Sequence, residues 1–83
     1  MMALRRLGKV LHSTKNKSLI VILESDNPFP KIGTKTFNKK LFYVGTIKDI
    51  IGKVSSPYAT IKPETQDFSK YVGEILYSIS EKD

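Results

Sequence analysis

Apolar positions along this chain recur with the period of strands. "RLGKVLH" (Arg6–His12) and "SLIVIL" (Ser18–Leu23) are short, rich in Val, Ile and Leu, and joined by the polar "STKNK", which predicts a hairpin. "ESDNPFPKIGTK" holds two prolines and a glycine and reads as a loop. "LFYVGTIKDIIGKV" is a long β-branched and aromatic run, "YATIK" is a strand bounded by Pro57 and Pro63, and "YVGEILYSIS" is a last strand after the polar "ETQDFSK". No segment carries an apolar stripe at helical spacing over several turns. The expectation is an all-β chain of five to seven strands with no substantial helix.

One local pattern recurs in these strands: apolar, glycine, polar, apolar. It occurs as "LGKV", "VGTI", "IGKV" and "VGEI", centred on Gly8, Gly45, Gly52 and Gly73 at irregular intervals, so it is not a solenoid repeat. Glycine inside a strand marks a bulge, a sharp bend or the close approach of another backbone. A small sheet that curls until its edges meet needs such bends, so the pattern predicts a small closed barrel. Gly52, followed by "KVSSP", also reads as a plain turn residue.

Eighty-three residues allow one domain, 1–83, with a core over roughly residues 4–79. The chain has no cysteine, so neither a disulfide framework nor a thiolate metal site supports its thin core, and a reducing compartment is expected. Its longest aliphatic run, "LIVIL", is five residues, far short of the ~18 a membrane span needs, so no membrane role is expected. The net charge of +6 is uneven: residues 1–40 hold nine Lys/Arg against Glu24 and Asp26, and residues 41–83 hold five against six acids. A basic half suits an acidic partner such as RNA or an acidic protein surface, with Arg5, Arg6, Lys15, Lys17, Lys39 and Lys40 as the contacts. The same lysines, clustered in "STKNKS" and "FNKK", equally suit solvated hairpin tips.

A catalytic constellation is not found. The single histidine, His12, has no neighbouring nucleophile and acid, and one histidine with scattered carboxylates makes no metal site, so no metal or cofactor is expected. Asp49 is the one acid inside a β-rich run. It serves either as a general acid or base, without a second carboxylate to tune it, or as a solvent-facing residue pairing with Lys48 or a neighbouring strand. "VGTIKDIIGK" spaces its glycines unlike a phosphate loop and leads into no helix. What remains is a shaped surface. Pro57 fixes the backbone ahead of Tyr58, and alternation sends Tyr58, Thr60 and Lys62 to one side and Ala59 and Ile61 to the other. Tyr58 is then either an outward anchor for a partner or a cap on the barrel end.

"RLGKVLH", "LFYVGTIKDIIGKVSSPYATIKP" and "YVGEILY", in this order and spacing, resemble the core domain shared by the Gar subunit of H/ACA ribonucleoproteins and the Naf assembly factor, over roughly residues 4–77. The most specific portion is G-x-I-x-D-I-x-G-x-V followed by P-Y-x-x-I-K-P. The resemblance implies a six-stranded β-barrel of the translation-factor type. It implies a non-catalytic subunit of the guide RNA–protein particle that pseudouridylates rRNA, one that binds the catalytic domain of a dyskerin-type pseudouridine synthase and promotes substrate loading, release and turnover. Other particle proteins and the guide RNA would be mostly indirect partners. Carried over by position, the partner-binding residues are Gly45, Ile47, Asp49, Ile50, Gly52, Val54, Pro57, Tyr58, Ile61, Lys62 and Pro63. Arginine- and glycine-rich flanks like those of eukaryotic members are absent from this sequence, which resembles archaeal members and implies a cytoplasmic location, or a nucleolar one in a eukaryote. An independent RNA-binding barrel is the alternative; it needs exposed aromatics to stack bases, and the aromatics here are scattered along the chain.

Overall fold

The computed structural model describes residues 2–24, 30–53 and 56–81. Six strands, β1 (Met2–Ser13), β2 (Leu19–Leu23), β3 (Lys35–Phe37), β4 (Tyr43–Lys53), β5 (Ser56–Pro63) and β6 (Ile75–Glu81), close into a barrel in the order β1-β2-β5-β4-β3-β6. Every pairing is antiparallel. The expected β1–β2 hairpin is present, and its turn has the geometry its sequence asks for. Lys17 N donates to the Thr14 carbonyl (3.1 Å), Thr14 N donates to the Ser18 carbonyl (2.8 Å), and Lys17 sits at φ 61°. This is a tight turn followed by a left-handed residue that returns the chain into the second strand.

Alternation decides which side chains fill the barrel. Leu7, Val10, Leu19, Val21, Leu23, Val44, Ile47, Ala59, Ile61 and Leu76 point inward and are buried. Thr36 is buried among them, its hydroxyl donating to the Gly45 carbonyl at 2.8 Å. Closure is tight where the sequence places glycine. A Cβ on Gly8 would fall onto the Ile22 carbonyl, at the bulge where β1 shifts register against β6 between Arg6 and Gly8.

The last strand starts later than its sequence suggests. "YVGEILYSIS" reads as one strand, yet β6 begins at Ile75, because a short 3-10 helix (Phe68–Tyr71) precedes it and Gly73, at φ 88°, turns the chain. The turn is tied to β1: Gly73 N donates to the Val10 carbonyl (2.8 Å) and Val10 N to the Glu74 carbonyl (2.9 Å). The helix swings Tyr71 into the core, where it is buried with Phe68 packed beside it, and so plugs one end of the barrel.

Antiparallel pairing throughout also sorts the connections. The β1–β2 turn, the β3–β4 turn and the β5–β6 segment with the 3-10 helix share the plugged end. The last residues of β2 and β4 and the first of β5 lie at the opposite end. Of the expected "ESDNPFPKIGTK" loop, residues 25–29 lie outside the described part of the chain, as does Val54.

Candidate functional site

The motif residues of β4 and β5 divide by direction. Ile47 (1% exposed) and Ile61 (fully buried) belong to the core, and Pro57 is buried opposite Gly52, farther along the same strand pair. Gly45 lies between β3 and β5, opposite both Thr36 and Pro63. Asp49, Gly52 and Lys62 are exposed, and Ile50, Tyr58 and Pro63 are half-buried. Asp49 follows the register shift between β4 and β5, and its carboxylate accepts the Ile50 amide at 2.9 Å, holding the bulge in place. The ion pairs among the described residues are Arg6–Glu24 (2.6 Å) and Lys70–Asp67 (3.9 Å), so Lys48 is not the partner of Asp49. His12 is exposed on β1, and no group of acids and histidines among the described residues could hold a metal ion. No helix among them is long and apolar enough to cross a membrane.

Register brings Tyr58 into company that the sequence separates widely. On the outer face its Cα partner in β2 is Ile22 and its partner in β4 is Ile51, while Ile22 is paired in turn with Lys9 of β1. Ile22 is 39% exposed and Ile51 is 45% exposed. Side chains directly opposite across a sheet stand about 5 Å apart at Cβ, so Ile22, Tyr58 and Ile51 form one apolar row across three strands, edged by a lysine. The half-buried Ile20 and the buried Thr60 continue the outer face along β2 and β5 toward Asp49. Tyr58 is therefore a lateral wall residue and not an end cap; the cap is Tyr71. An outward-facing apolar row rimmed by polar residues is a candidate for a surface that another protein covers.

Ile22 and Ile51 are not among the residues singled out by motif. A signal for them does exist in the sequence: "LIVIL" is apolar on both alternating faces, and "DII" sets two isoleucines side by side, so one of each pair must face outward.

The basic residues scatter in a telling way. Arg6 is spent on Glu24, and Arg5 is half-buried on β1. Lys15, Lys17, Lys39 and Lys40 are all exposed on the turns of the plugged end.

The Gar1/Naf1 RNA binding region matches residues 4–82, nearly the whole chain. The chain belongs to the Gar1/Naf1 family. This Gar1/Naf1 domain is 29% identical over 76 residues to the H/ACA ribonucleoprotein complex subunit GAR1 of Encephalitozoon cuniculi (strain GB-M1). The match covers 92% of this chain and 41% of that protein, so the domain spans less than half the length of its relative. The solved Gar1 domain of Naf1 superposes with a TM-score of 0.76 at 14% identity, covering 95% of this chain and 88% of that one. The barrel expected from the glycine pattern and the Gar/Naf resemblance is thus the family fold.

Proposed function

We propose that this Gar1/Naf1 domain is a non-catalytic subunit of an H/ACA-type ribonucleoprotein and docks on the catalytic domain of its pseudouridine synthase. The observation that carries the reading is the Ile22–Tyr58–Ile51 row. It gives a chain without a catalytic constellation an apolar surface for a protein partner, and the Encephalitozoon relative bears the name of an H/ACA subunit. Tyr58 is the anchor: a rigid ring with a polar tip, flanked by two isoleucines that exclude water around it. A bound subunit with no reactive groups acts on the steps that bracket the chemistry, namely substrate loading, release and turnover, which limit many enzymes.

The test is a binding isotherm of the purified chain with the synthase in the absence of RNA. Tyr58→Ala is expected to weaken binding by about 2 kcal/mol or more, as central interface aromatics do, with little loss of thermal stability. Ile22→Glu, which puts a charge into the row without touching the core, is expected to abolish docking. Binding unchanged in both variants rules out this face. In activity assays, omitting the protein should lower multiple-turnover pseudouridylation more than the single-turnover rate, and an equal loss in both overturns the turnover role.

A further inference from the structure

The plugged end of the barrel carries a second surface, of different chemistry from the apolar row and separated from it by the length of the strands. The β3–β4 turn is a cage built on the buried Asn38. Its side-chain oxygen accepts the Lys40 amide (2.9 Å) and the Phe42 amide (3.0 Å), while its own backbone pairs with the Phe42 carbonyl and the Leu41 amide. This cage holds Leu41 at φ 67°, a left-handed conformation that costs a branched-chain residue about 1–2 kcal/mol. What the strained turn achieves is exposure: Lys39, Lys40 and Leu41 face solvent, and Phe42 is 62% exposed. Backbone strain of this kind is commonly retained where it shapes a functional surface.

Phe42, Lys39 and Lys40 line a recess of about 430 Å³ together with Lys70, Tyr71 and Glu74. The Lys70 ammonium lies 5.3 Å from the centre of the Tyr71 ring and 3.9 Å from Asp67, a loose and solvent-exposed pair. Lys15 and Lys17 stand at the same end but across the barrel mouth, on the β1–β2 turn, and are not part of this recess. Two aromatics far apart in the sequence, Phe42 and Tyr71, meet in this recess.

We propose that this end binds single-stranded RNA, with a base stacked on Phe42 and the flanking phosphates held by Lys39, Lys40 and Lys70. An open aromatic face amid lysines is the arrangement that single strands use, because their bases are free to leave the stack and duplex bases are not. Glu74 fits the same occupant, since a carboxylate accepts hydrogen bonds from the exocyclic amines of bases. An acidic protein segment would satisfy the lysines and leave the Phe42 face unused. The inference rests on the reading that the chain works in an RNA-guided particle, and it adds a direct RNA contact remote from the docking row, so synthase and RNA can be held together.

The experiment is fluorescence anisotropy of the full chain with a labelled mixed-sequence RNA of about 12 nucleotides, a length within the range single-strand sites cover. A duplex RNA and a glutamate-rich peptide serve as competing probes, and synthase docking is measured on the same preparations. The single strand is expected to bind more tightly than the duplex. Phe42→Ala should weaken it about tenfold and Phe42→Tyr should restore it. Lys39→Gln with Lys40→Gln should flatten the dependence of log affinity on log salt by about 1.4, two phosphate contacts' worth for a single strand. Because these side chains are exposed, all variants should melt with the wild type and dock on the synthase normally. Single-strand affinity indifferent to Phe42→Ala overturns the proposal, as does equal affinity for the duplex. Peptide binding with the same Phe42 and lysine dependence assigns the recess to a protein segment and also overturns it. Lost RNA binding with intact docking leaves the proposed function standing, and intact RNA binding with no docking removes that function instead.

Discussion

Gly45→Ala should be among the most damaging single-methyl additions this protein can suffer. The added Cβ falls onto the Lys62 carbonyl oxygen and 2.7 Å from the Pro63 Cα, and both obstacles are backbone, so no side chain can rotate away. Ordinary van der Waals contact begins at 3.4 Å, so β4 and β5 must part locally by at least about 0.7 Å. That movement weakens one or two ladder hydrogen bonds, each about 1 kcal/mol, and loosens the packing of Val44 and Ile61 beneath, an overpacking cost of about 1–3 kcal/mol. The sum is about 3 kcal/mol. For a domain of this size each kcal/mol lowers Tm by about 4–8 °C, so a loss of about 12–24 °C is expected by calorimetry or circular dichroism. Gly33→Ala is the control. It has open space around its Cβ but a φ of 93°, so it suffers only conformational strain of about 1–2 kcal/mol. If Gly45→Ala melts within a few degrees of wild type, or no lower than Gly33→Ala, the close approach of the two backbones is not what requires glycine there.

Three further outcomes follow from the same geometry. Leu41→Gly should raise stability by up to about 1 kcal/mol in urea unfolding, because glycine relieves the left-handed strain and little apolar contact is lost from a side chain 56% exposed. Asn38→Ala should cost about 1–3 kcal/mol, since two amides of the β3–β4 turn lose their acceptor, and amide exchange should speed up at Lys40 and Phe42 ahead of the rest of the barrel. The Tyr43 hydroxyl is held above its ordinary pKa of 10.0, first by desolvation and then by the charge and hydrogen bond of Glu64. A phenol whose folded pKa exceeds its unfolded one favours the fold below pH 10 and loses that contribution as pH climbs through the folded value. Ultraviolet difference titration should therefore show Tyr43 ionising late, with a midpoint that falls in Glu64→Gln.

The strands were legible because a period of two is written directly into segments such as "SLIVIL" and "YATIK". The bend at Gly8 was legible because a glycine inside a strand pattern usually marks a bulge or a close backbone approach. "YVG" misled for a physical reason. Tyr and Val are strong strand formers, but Gly73 sits at positive φ, and the bonds linking it and Glu74 to Val10 are contacts across some sixty positions that no local pattern records. The same limit hid both surfaces. Ile22, Tyr58 and Ile51 become neighbours only through the registers of two separate strand pairs, and Phe42 meets Lys70 only because the barrel closes. The motif residues near Tyr58 could be quoted from sequence, whereas their sorting into wall and surface needed the pleat.

Closure of the sheet also limits how this protein can be recognised. An open sheet offers its edge, and a partner can bind by adding a strand whose affinity comes from main-chain hydrogen bonds and is nearly blind to sequence. In the β1-β2-β5-β4-β3-β6 ring each strand already has two neighbours, so that generic mode is closed along the stretches paired on both sides. Any partner must read outward-facing side chains, one alternate position at a time. Such a surface can be rewritten residue by residue without disturbing the ladder beneath it, so relatives sharing this barrel can diverge in the company they keep while the backbone stays the same, and the ring is spared the edge-to-edge aggregation that threatens small open sheets.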